Sequence, residues 1–144
     1  MSLEENKTIV RKMFEAINKR NLVSLDGLMA PDFVLHMRAK QTQGWRVNRQ
    51  VVEDEIKAFP DFNVAIKDII AEGDKVCVRL QETGTHRGEY HGLAPAGNKF
   101  SYTVIAIWRI VEGKIVEAWI VYDQMDFLKQ LGVIEWKGFP DEGM

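Results

Sequence analysis

The sequence predicts an α+β fold: a curved antiparallel sheet wrapped around three N-terminal helices, closed by a short C-terminal helix. Two observations predict it. Apolar residues recur at helical spacing up to Pro60, and beyond Pro60 the period drops to two. Helices come first and strands afterwards, so the helices pack on one face of a sheet instead of alternating with its strands. The length of 144 residues fits one domain. Folding at that size buries roughly two thirds of the unfolded surface, enough for a core and a pocket.

Ser2-Leu3-Glu4-Glu5 reads as a capping box. Ile9, Val10, Met13, Phe14 and Ile17 follow at helical spacing, which predicts a helix over Leu3–Asn18. Asn21 can cap a second short helix that buries Leu22, Leu25, Leu28 and Met29, with Pro31 as its stop. Phe33–Arg38 is a short strand, and Gln41–Arg46 is a polar loop holding Trp45. Val52, Ile56 and Phe59 predict a third helix that ends before Pro60. Phe62, Val64 and Ile66 then alternate with polar neighbours. After the Glu72-Gly73-Asp74 turn, Val76, Val78 and Leu80 do the same. A Gly- and Pro-containing loop spans His86–Lys99. Strands over Phe100–Ile110 and Lys114–Asp123 meet at Glu112-Gly113, and a short helix closes at Gly132. Residues 1–132 form the single domain and 133–144 a tail. No repeat or linker interrupts the chain.

Composition bounds the function. Hydrophobic residues are 46% and charged residues 28%, the balance of an ordinary soluble domain. A net charge of −2 gives no field to draw in nucleic acid or an anionic membrane, and neither partner is expected. The single Cys77 excludes an internal disulfide and suits a reducing, cytoplasmic setting. Its strand position marks it as a packed side chain. Met1–Lys7 is polar, without the apolar stretch of a signal region. The three histidines show no metal-ligand spacing, and no glycine-rich phosphate loop or nucleophile elbow is present. No metal and no cofactor are expected.

The block Ile107-Trp108-Arg109-Ile110-Val111-Glu112-Gly113-Lys114-Ile115-Val116-Glu117-Ala118-Trp119-Ile120-Val121-Tyr122-Asp123 resembles the SnoaL-like polyketide cyclases, of the nuclear transport factor 2-like superfamily. So do Phe59-Pro60-Asp61-Phe62, Ala71–Val76, Gly84–Glu89 and Gly113–Glu117, in the same order and spacing. The resemblance runs from about Asn6 to Gly132. It implies a cone-shaped curved sheet around the helices, with a pocket inside. In that family an aspartate follows the Trp position in a W-D-x-x-D pattern. A histidine on the preceding strand and a polar residue on the first strand assist it. By the resemblance those places fall at Ile120, Ala106 and Leu35, all apolar here. One positioned acid/base group is worth roughly 10²–10⁴ in rate. The family's catalytic residues are therefore not carried over.

If Ala106 and Ile120 face the pocket, period two places Tyr102, Val104, Trp108 and Tyr122 there as well. That makes an aromatic, apolar chamber for a small hydrophobic or polyketide-like molecule. Plain core filling is the competing reading of the same residues. Ile105, Ile107, Trp119 and Val121 would face outward, which calls for a homodimer through the sheet or for coverage by Trp136 and Phe139 of the tail.

Polar candidates complete the expectation. His36 is the first choice for an acid/base group. Arg38, two residues on and assigned to the same strand face, could hold an anion. A solvated strand edge explains both equally well. His91 could reach a ligand or be an exposed loop residue. Asp123 matches the second aspartate of the family pattern and also suits a helix cap. Trp45 is either a lid or a loop anchor. The expected function is binding of a small apolar molecule, with cofactor-free cyclase-, isomerase- or hydrolase-like chemistry through His36, Tyr102, Tyr122 or Asp123. The alternative is a non-catalytic binding or sensing protein.

Overall fold

The Ser2 hydroxyl accepts from the Glu5 amide at 3.1 Å and the Glu5 carboxylate accepts from the Ser2 amide at 3.2 Å, so the predicted capping box starts the chain. The computed structural model describes residues 1–140. Helix α1 spans Leu3–Asn18 and buries Ile9, Val10, Met13 and Phe14. Asn21 caps α2, Leu22–Asp26, through the Ser24 amide. Strand β1 (Met29–Met37) turns tightly into β2 (Lys40–Gln43). Then come α3 (Trp45–Ala58), β3 (Asn63–Glu72), β4 (Lys75–Thr85), β5 (Lys99–Val111), β6 (Lys114–Tyr122) and α4 (Gln124–Gln130).

The six strands form one sheet in the order β2-β1-β6-β5-β4-β3. Four junctions are antiparallel, as the alternation predicts. One departs from that expectation: β1 runs parallel to β6, pairing Leu35 with Ala118 and Met37 with Ile120. The sheet is therefore mixed. Pro31 lies inside β1, within the Met29–Val34 stretch where the register against β6 shifts. A residue without an amide proton fits such an interruption. The predicted polar loop at Gln41–Arg46 is in fact strand β2 followed by the start of α3.

Helices α1 and α3 cover one face of the sheet. Asn18 fastens α1 to β3: its side-chain amide donates to the Val64 carbonyl and its oxygen accepts from the Val64 amide, both at 2.8 Å. Asp26 joins α2 to α3 by accepting from Trp45 Nε1 and Arg49 Nε, each at 2.8 Å. Between helices and sheet lies a core of Phe14, Phe33, Phe59, Phe100, Trp108 and Phe127 with aliphatic neighbours. The other sheet face leaves Ile70, Ile105, Ile107 and Val121 exposed, and Trp136 and Phe139 of the tail are themselves exposed. Residues 141–144 of the tail lie outside the described residues. Among the described residues no helix is long and apolar enough to cross a membrane.

Candidate active site

Strand alternation decides which side chains face the helices, and register arranges them in rows across the sheet. Val76, Trp108, Ala118 and Leu35 form one row, and Val78, Ala106, Ile120 and Met37 the next. Leu80, Val104 and Tyr122 make the third, and Glu82 stands beside Tyr102 in the fourth. Hydroxyl and carboxylate groups therefore stand at one end of the strands, while the first row holds the Trp108 Nε1, buried without a partner among the described residues.

Except for Val76, Val78 and Ala118, the side chains of these rows form one wall of a cavity of about 190 Å³. Helix α1 contributes Met13, Phe14 and Ile17, and α3 contributes Val52, Glu55 and Ile56. Exposed Arg38, Val51 and His91 stand at its edge and mark the mouth. All ten side chains expected to bind a ligand lie in its wall: Leu35, Arg38, Trp45, His91, Tyr102, Val104, Ala106, Trp108, Ile120 and Tyr122. Trp45 is an anchor. It opens α3, donates to Asp26 and meets Phe33 edge-on at 6.2 Å.

His36 and Asp123 are elsewhere. Leu35 and Met37 face the cavity, so period two turns His36 to the outer side of the sheet. There its ring stacks on Trp119 at 5.2 Å and its Nε2 lies 2.7 Å from Glu117 Oε2. Glu117 also accepts from Arg109 Nε at 3.0 Å. The bond with His36 and then that with Arg109 hold the Glu117 carboxyl below the usual range. Asp123 is exposed and caps α4, accepting from the Asp126 amide at 3.1 Å. Neither residue lines the cavity. Arg38 does not share the His36 face, because it has left the strand. It sits with Ala39 in the two-residue turn between β1 and β2, both at positive φ (53° and 59°).

The cavity is not the purely greasy chamber the sequence suggests, because two carboxylates line it. Glu82 accepts a hydrogen bond from the Tyr102 hydroxyl at 2.9 Å. Burial pushes its carboxyl up to about 7, against the lowering effect of that bond. Glu55, on α3, is pushed up to about 8, first by burial and next by the charge of Glu82, with Arg38 opposing. Near neutral pH this pair retains protons that surface carboxylates would lose. Tyr90, Tyr102 and Tyr122 are all raised, with burial the leading cause. For Tyr122 the adjacent Arg38 guanidinium opposes the rise. Among the described residues no group of three or more His, Cys, Asp and Glu side chains could hold a metal ion.

Both glutamates obey the sequence periodicity. Glu82 continues the inward series Val76, Val78, Leu80. Glu55 lies one turn beyond Val52, on the face that carries Ile56. Extending the strand series by one member finds Glu82, and filling in the helical face between Val52 and Ile56 finds Glu55.

Solved structures share this architecture. AclR from Streptomyces galilaeus, described as a proposed hydroxylase, is 32% identical with a TM-score of 0.84, covering 93% of this chain and 89% of that one. IdmH from Streptomyces antibioticus, described as a proposed polyketide cyclase, is 31% identical with a TM-score of 0.74, covering 89% and 99%. TsrD from Streptomyces laurentii, at 22% identity and a TM-score of 0.83 over 93% and 99%, shows the likeness of fold alone. Comparison with curated proteins found no match. The family model described as SnoaL-like polyketide cyclase matches residues 7–131, the stretch that builds both the sheet and the cavity, and the chain belongs to that family.

Proposed function

We propose that this protein binds a small, largely apolar, polyketide-like molecule in its cavity and closes a ring on it by cofactor-free proton transfer between Glu82, Glu55 and carbon. Ionised Glu82 takes a proton from a carbon next to a carbonyl. The resulting enolate carbon forms a bond to a second carbonyl carbon, whose oxygen becomes an alkoxide. Protonated Glu55 supplies the proton to that oxygen, and the proton on Glu82 then returns the pair to its starting state. The product is an isomer of the substrate, so no atom is gained or lost. The observation that carries this reading is the pair of raised carboxylates in one largely apolar cavity. Paired carboxylates with shifted pKa values are how acid and base roles are divided at neutral pH.

The test needs no natural substrate. An enolisable benzo-fused cyclic ketone, 2-tetralone, is incubated with the protein in deuterated buffer, and α-proton exchange is followed by NMR. Exchange should rise through about pH 7 and fall by roughly 10²–10⁴ in Glu82→Gln. His36→Ala should leave it unchanged. Exchange at the buffer rate at every pH, or indifference to Glu82→Gln, would sink the catalytic reading. The apolar Leu35, Ala106 and Ile120 favour the second reading, a binder without chemistry. Saturable binding of the ketone with no exchange would establish that instead. A homodimer through Ile105, Ile107, Trp119 and Val121, in a reducing cytoplasmic setting, completes the proposal.

A further inference from the structure

Resting on the reading of the cavity as a small-molecule site, we infer that the ligand is a flat, apolar ring system carrying one ionised oxygen group at its outer end, and that Arg38 holds that group at the mouth. Three observations point there. The rows set the direction: no ionisable side chain stands in the Trp108 and Ala106 rows, where the one indole N–H is that of Trp108, buried without a partner among the described residues, whereas Tyr122, Tyr102 and Glu82 stand at the other end. An amphipathic ligand keeps its ionised end away from Leu35, Ala106 and Ile120, because no charged side chain in those rows would offset its desolvation.

The second observation is charge. Among the described residues Arg38 is the one permanently cationic side chain in the wall, since the other lysines and arginines lie outside it. Among the described residues Arg38 has no carboxylate within 4.0 Å, although Glu55 feels its charge. While Glu55 and Glu82 keep their protons, the guanidinium beside Tyr122 is the strongest anion-seeking group at the mouth. Its planar donors match a carboxylate or an enolised dicarbonyl. Once the glutamates ionise, Glu55 competes for Arg38 and both carboxylates repel an anion.

The third is backbone. Arg38 and Ala39 occupy the two central positions of the hairpin turn at positive φ, where Asn-Gly or Asp-Gly is the ordinary choice. A long cationic side chain at a strained position asks for a reason. From there its side chain still lines the cavity.

Titration calorimetry at about pH 6, where the glutamates stay protonated, compares 2-naphthoate with its neutral analogue 2-acetylnaphthalene and with acetate. Naphthoate should bind about ten- to a hundredfold more tightly than the neutral probe, the worth of a charge-assisted contact. Acetate alone should not saturate. Arg38→Asn suits a positive φ and so preserves the turn. In that variant naphthoate should fall to the level of the neutral probe, whose affinity stays within about twofold. Arg38→Lys should keep part of the preference. Equal affinities in the parent protein, a preference that survives Arg38→Asn, or no binding of either probe would overturn the inference. Proton exchange on 2-tetralone is read separately, so the failure of either proposal is distinguishable from failure of the other.

Discussion

Replacing Glu82 by glutamine should change stability by an amount that depends on pH, and the direction follows from the site. The folded protein holds the Glu82 proton up to about 7, whereas the ordinary value of 4.5 applies in the unfolded chain. Between these two values the folded state binds more protons than the unfolded state, so stability falls as pH rises through that window. Below it Glu82 is neutral in both states and contributes nothing. The rise from 4.5 to about 7, at about 1.4 kcal/mol for each tenfold, sets a ceiling of about 3 kcal/mol. Glutamine mimics the protonated acid and can still accept from the Tyr102 hydroxyl. Urea unfolding of both proteins should therefore give nearly equal stabilities at about pH 4.5 and an advantage to Glu82→Gln approaching that ceiling at about pH 8. Asp26, Asp61 and Glu117 do not confuse the comparison. Their values are lowered, so their stabilising effect is complete above the unfolded carboxylate range and is lost only in acid. A constant difference at both pH values, or a loss for the variant at the higher one, would refute a buried, proton-retaining Glu82.

Asp61 accepts from the buried Thr85 amide at 2.7 Å and from the Thr85 hydroxyl at 2.6 Å. Asp61→Ala should lower unfolding free energy by about 2–4 kcal/mol in urea titrations, and a loss under about 1 kcal/mol would mean that water replaces the carboxylate. Val121 is 74% exposed on the outer sheet face. Val121→Asp should convert a dimer into a monomer in light scattering without altering 2-tetralone exchange, and a monomeric parent protein would end the dimer proposal.

Legibility of the fold followed how local each signal is. Helix α1 is readable because its cap and its apolar period are both signals local to Ser2–Ile17. Strands β3 to β6 are readable because each buries one face against the helices. Strand β2, Lys40–Gln43, is almost wholly polar and mostly exposed, so no alternation announces it. The parallel pairing of β1 with β6 joins residues more than eighty positions apart, and nothing local encodes it. At the site, period two places Tyr102 to Trp108 and Ile120 to Tyr122 in the cavity wall. It misplaces Arg38 only because the turn ends the alternation one residue earlier. His36 and Asp123 look chemical in the sequence, yet each is occupied by a local partner: Trp119 and Glu117 for one, a helix amide for the other.

The geometry also bears on how a family cavity can change its seats and keep its chemistry. By the resemblance, relatives place their acid/base groups in the row of Ile120 and Ala106. Here Tyr102 lies four residues along β5 from Ala106, with Glu82 beside it. On the proposed reading, at a rise of about 3.3 Å per residue, the proton-transfer site would lie about 13 Å along the strand from that row. On that reading a ligand that fills the hydrocarbon rows would present its reacting carbon within reach of Glu82 and Glu55. That arrangement would explain why the deep seats can be leucine, alanine and isoleucine without cost to proton transfer. It also gives a structural contrast: Ile120→Asp would put a carboxylate back in the relatives' row. Buried among apolar neighbours with no cation in its row, it would be protonated near neutral pH and would fail to substitute for Glu82.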